Sequence, residues 1–94
     1  MAEDWRPEEN EVMILAYLRM LAHETAGEPY VKAHMVREVR DATGRSRGAV
    51  EYKFRNVSAA LAALNRPWVP GYKPASNYQH DLLEELVMQL ERWS

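Results

Sequence analysis

No cysteine occurs among the 94 residues, so disulfides and thiolate metal centres are excluded and a reducing compartment is the expected home. Glycine occurs only four times, and neither a phosphate-cradling glycine loop nor a nucleophile elbow can be assembled from those positions. No apolar run approaches the ~20 residues of a membrane span. The first residues, Met-Ala-Glu-Asp-Trp-Arg, are acidic where an export leader is basic and then apolar. The expectation is a cytoplasmic protein with no membrane partner. His23, His34 and His80 lack paired ligand spacing, so no metal and no cofactor is expected. No segment alternates strictly between apolar and polar residues, which argues against a sheet. Hydrophobic residues make up 47 % of the chain, enough for one core, and residues 1–94 are read as a single domain.

The charge is present but unevenly placed. The net value of −2 conceals three parts: residues 1–29 sum to −5, residues 30–74 to +6 and residues 75–94 to −3. A basic centre between acidic ends suits a protein with one face for a polyanion. It also suits acidic and basic helices that pair within the fold.

The apolar spacing predicts four helices. The first starts near Pro7, with Glu8, Glu9 and Glu11 at the positive end of its dipole, and fades around Thr25-Ala26-Gly27. Trp5 stands just upstream, where it can fold back as an anchor. A second helix runs from about Val31 to Ala42, with Met35, Val36 and Val39 inward and Lys32, Arg37 and Arg40 outward. Gly44 is the expected C′ residue and Ser46 the N-cap of a third helix. There Val50, Phe54, Val57, Leu61 and Leu64 make one periodic face, and Asn65 and Pro67 end it. Residues 65–78, with three prolines, form a stiff ordered loop. A fourth helix follows from about Gln79 to Trp93, with Leu82, Leu83, Leu86, Val87, Leu90 and Trp93 on its apolar side. The fold class is therefore all-α: a small four-helix domain with a helix-turn-helix core and a Pro-rich loop before the last helix.

With successive side chains roughly 100° apart, Tyr52, Arg55 and Ala59 point most nearly away from the core face of the third helix. Ala49, Lys53, Asn56 and Ala60 lie on one flank and Arg47, Glu51 and Ser58 on the other. A helix entering a major groove needs such a division. Arg45 and Arg47 flank the helix start, where the dipole favours phosphate. The competing reading is a solvated face with Arg47 paired to Glu51. In the loop, Trp68, Tyr72 and Tyr78 alternate with Arg66 and Lys73 and are candidates for base stacking, or else cover the edge of the core. Enzyme signals are poor. Glu51-Tyr52-Lys53 with Asp41 has the acid-x-Lys spacing of one nuclease class, but that site is normally strand-borne and these residues fall within a helical period.

Trp5 with Glu8-Glu9, followed by Gly44-Arg45-Ser46-x-Gly48-Ala49-Val50-x-x-Lys53-x-x-Asn56, resembles Myb/SANT-like helix-turn-helix domains. A wider resemblance covers nearly the whole chain. Arg47-Gly48-Ala49-Val50-Glu51-x-Lys53-x-x-Asn56-Val57-Ser58, then Pro70-Gly71-Tyr72-Lys73-Pro74-x-x-Asn77-Tyr78-Gln79, is similar to the small N-terminal domain found ahead of HNH and other nuclease domains in bacterial restriction and defence proteins. The resemblance implies a targeting module that brings a nuclease to DNA, including modified DNA. It implies Arg45, Ser46, Arg47, Lys53 and Asn56 as the DNA-facing set and Tyr72, Lys73, Asn77 and Tyr78 as a signature loop. The 94 residues hold no HNH motif.

The expected function is thus a non-catalytic double-stranded DNA-binding module. Arg45, Ser46, Arg47, Tyr52, Lys53, Arg55, Asn56 and Lys73 are its contacts. Arg45, Arg47 and the second-helix bases Lys32, Arg37 and Arg40 would clamp phosphates, and Asn56 suits a bidentate contact to adenine. The implied partners are double-stranded DNA and a nuclease domain in the same or a partner chain. The alternative is a protein-interaction module, with homodimerisation as one form.

Overall fold

The computed structural model describes residues 4–93. Four helices follow one another: α1 (Pro7–Ala26), α2 (Lys32–Thr43), α3 (Arg47–Ala63) and α4 (His80–Trp93). All-α architecture is as expected, and no strand occurs among the described residues.

Local signals set the boundaries. Pro7 opens α1, and the Arg6 backbone N–H donates to Glu9 Oε1 at 2.8 Å. Gly44 closes α2 at φ 74°, its N–H donating to the Arg40 carbonyl at 2.8 Å. That left-handed conformation is cheap only without a Cβ. Ser46 then caps α3, its Oγ accepting from the Ala49 N–H at 3.2 Å. Val31 is the half-exposed N-cap of α2 and not its first turn. The Trp93 side chain, expected on the apolar face of α4, lies outside the described residues.

Helix α1 lies at the centre, touching α2, α3 and α4. Its Met13, Ile14, Tyr17 and Met20 are fully buried with Val39 of α2, Val50, Phe54, Val57 and Leu61 of α3, and Leu82 and Leu86 of α4. Leu64 departs from the expected stripe: it is the C-cap of α3 and is 38 % exposed. The loop after α3 supplies Val69 and Tyr72 to the core, and Tyr72 packs on Phe54 at 5.2 Å and on Tyr17 at 6.4 Å between ring centroids. Tyr17 also holds a buried polar junction. Its hydroxyl lies 2.7 Å from Ser58 Oγ and accepts the Val69 N–H at 2.8 Å. Buried polar atoms need such partners, since each one orphaned costs about 1–3 kcal/mol.

Candidate nucleic-acid interface

The residues around the α2–α3 connection fall into a closed corner and an open groove. Arg45 is in the corner. Its guanidinium grips Glu9, with Nη2 2.9 Å from Oε1 and Nε 3.1 Å from Oε2, and donates to the Asp4 carbonyl at 3.0 Å. It also lies over the Trp5 ring at 5.2 Å. Only 18 % of the Arg45 side chain and 5 % of that of Glu9 are exposed. The hydrogen bonds from Arg45, foremost, hold the Glu9 carboxyl down at about 2 despite its burial. The expectation that Arg45 clamps phosphate is corrected: a bidentate pair already occupies it.

Arg47, two residues on, has the opposite setting. Its side chain is 74 % exposed, and its one ion pair among the described residues is a 3.5 Å approach to Glu51. Arg47 joins Lys32, Ala33, Val36, Arg37, Arg40, Glu51, Gly71 and Tyr72 around an open groove of about 410 Å³ between α2, α3 and the loop. Helix α2 sorts its charges to build this groove. Lys32, Arg37 and Arg40 lie on the α3 side, while Glu38 is paired with Arg19 of α1 on the other. Glu51 is the single acid among the lining residues.

Lys32 is the most constrained of the four cations. Its ammonium donates to the Pro70 carbonyl and sits 5.1 Å from the centre of the Tyr72 ring. Gly71 makes room for it: its φ is 95°, and a Cβ there would fall 2.5 Å from Lys32 Nζ. Burial pushes the Tyr72 hydroxyl up to about 12, and the ring serves as floor and core plug. The reading of Tyr72 as a base-stacking residue is corrected accordingly, since it is only 6 % exposed.

Beyond Tyr72 the loop lies along α3 as a strap. The Arg55 Nε donates to the Lys73 carbonyl at 2.9 Å, the Ala75 N–H to the Arg55 carbonyl at 3.1 Å, and the Tyr52 hydroxyl to Asn77 Oδ1. Asn56 Nδ2 donates to the Ala75 carbonyl at 2.7 Å, and the residue is 1 % exposed. Asn56 is therefore corrected from base reader to strap anchor. Ala59, expected to point outward, is 7 % exposed. The open part of α3 is its first turns, where Ser46, Arg47, Gly48 and Tyr52 are exposed, with Arg55 half-buried and Lys73 exposed beside them. Ser46 spends its hydroxyl on the cap.

Lys53 is on the far flank, half-buried over Trp5 at 5.6 Å and away from the groove. Among the described residues no group of three or more His, Cys, Asp or Glu is placed to hold an ion. Trp68 is 36 % exposed and Tyr78 half-buried against the core. The groove residues Lys32, Arg37 and Arg40 were readable as outward cations of the second helix, expected to act together with Arg47, and the four line one groove.

Comparison with protein-family models, curated proteins and solved structures finds no match. The resemblance to Myb/SANT-like and nuclease-associated domains thus rests on the motif residues themselves.

Proposed function

We propose that the chain is a double-stranded DNA-binding module of helix-turn-helix type, without catalytic activity of its own, that serves to target a nuclease. The observation that carries this reading is the α2–α3 groove, where Lys32, Arg37, Arg40 and Arg47 face one acid, Glu51. Cations gathered around a concavity raise the local concentration of a polyanion and bind it by counterion release. Lys73 and Arg55 extend this face along α3. Phosphates would lie in the groove, and Gly48 and Tyr52, on the exposed first turns of α3, would meet base edges.

The test is duplex binding as a function of salt. About six phosphate contacts predict a log–log slope near −5. A second reading, protein interaction, draws on a different observation: an apolar recess of about 360 Å³ between α1 and α4, lined by Leu18, Leu21, Ala22, Thr25, Ala26 and Leu90. Absent duplex binding at low salt would favour that reading over the first.

A further inference from the structure

A second concavity lies on the opposite flank of α3 from the cationic groove. It encloses about 340 Å³ and is lined by Asp4, Trp5, Ala49, Tyr52, Lys53, Asn56, Asn77 and Gln79. Its chemistry is unlike that of the groove. Lys53 is half-buried beside the Trp5 ring; its ammonium makes no hydrogen bond or close ion pair with any described residue, and the Asp4 and Asp81 carboxylates act on it only at longer range. A cation drawn from water without an acceptor gains most from an acceptor that enters the recess. Asn77 spends its Oδ1 on the Tyr52 hydroxyl, which leaves its NH₂ donors for a ligand. Gln79 is exposed and brings an amide of both characters. Asp4 contributes an acceptor, and Tyr52, 38 % exposed, an aromatic ring.

We propose that this recess takes an unpaired nucleobase belonging to the same nucleic acid whose phosphates occupy the α2–α3 groove. The inference rests on the DNA-binding reading above. Donors at Lys53 and Asn77, an acceptor at Asp4 and an amide at Gln79 match the mixed edge of a base removed from its pair. The Tyr52 ring gives that base a surface to stack on. A phosphate fits less well, because Asp4 would oppose it. A paired base fits less well too, because it stays in the duplex and presents its edge to the convex ridge of α3 and not to a hollow beside it.

The test compares short duplexes, one fully paired and one with a single unpaired adenine, by fluorescence anisotropy. The bulged duplex binds about 10-fold more tightly, within the range that base–aromatic contacts provide. Gln79→Ala and Lys53→Gln each bring that ratio close to 1 while the paired-duplex affinity and the melting temperature hold. Equal affinity of the native protein for the two duplexes, or a ratio that survives both substitutions, overturns the recess proposal alone. Failure to bind either duplex at low salt overturns it together with the DNA-binding reading.

Discussion

Arg45 and Arg47 are two residues apart, carry the same charge and flank the same helix start, yet the fold uses them in opposite ways. Arg45 turns back to α1 and is held by Glu9, a residue 36 positions earlier, under the cover of Trp5. Arg47 stands at the rim of an open groove with one long approach to Glu51. The difference teaches that a cationic stretch is not a binding surface until its internal partners have been accounted for. A buried bidentate pair is committed to the fold, since releasing either member strands the other's charge. An exposed pair at helical spacing contributes at most a few tenths of a kcal/mol and can be exchanged for a phosphate.

The largest effect should come from breaking the closed side. Arg45→Ala leaves the Glu9 carboxylate buried without its main partner, and a loss of about 3–5 kcal/mol is expected. Thermal unfolding followed by circular dichroism checks it, and a shift under about 4 °C would mean the pair is dispensable. The same pair has a pH signature. Glu9 titrates near 2 when folded and near 4.5 in its ordinary range. Its folded value is depressed, so its contribution is fully present above about 4.5 and is lost as pH falls from there toward 2. An acid titration of the native chain should show a stability loss across that window, and Glu9→Gln should flatten it.

Next comes the open side. Arg47→Ala combined with Arg40→Ala should leave stability within about 0.5 kcal/mol, as exposed substitutions do, while weakening duplex binding. The salt slope should also become shallower by nearly 2, one counterion equivalent per lost contact. Unfolding of this double variant would erase the contrast between the two arginines. The smallest effect sharpens the contrast within the groove. Gly71→Ala demands an L-residue at φ 95° and crowds Lys32 Nζ. It should cost about 1 kcal/mol or more of stability and shift Lys32, with a loss of binding of about 2-fold (0.4 kcal/mol).

What the sequence made legible was local. The Pro7 start, the Gly44 stop and the Ser46 cap depend on neighbours within one turn, and all three fall where the residue types place them. The core face of α3 was legible as far as Leu61. What stayed hidden depends on partners far along the chain. Helical periodicity put Asn56 on an accessible flank and Ala59 opposite the core by treating α3 as packed on one side only. The strap of residues 73–77 covers that second side, joined by Asn56 and Arg55. The three prolines of the loop signalled stiffness, but no spacing rule says which helix a stiff loop will lie against. Ser58 carried a faint signal, a hydroxyl on a helix flank whose partner, Tyr17, is 41 residues away.

The most direct measurement is the mapping of backbone amide chemical shifts while a short duplex is titrated into the labelled protein. The account predicts the largest changes at Lys32, Arg37, Arg40, Arg47, Gly48 and Gly71, with the amides of Leu18, Leu21, Ala22 and Leu90 unmoved. Changes concentrated on the α1–α4 recess, or none anywhere at low salt, would contradict it.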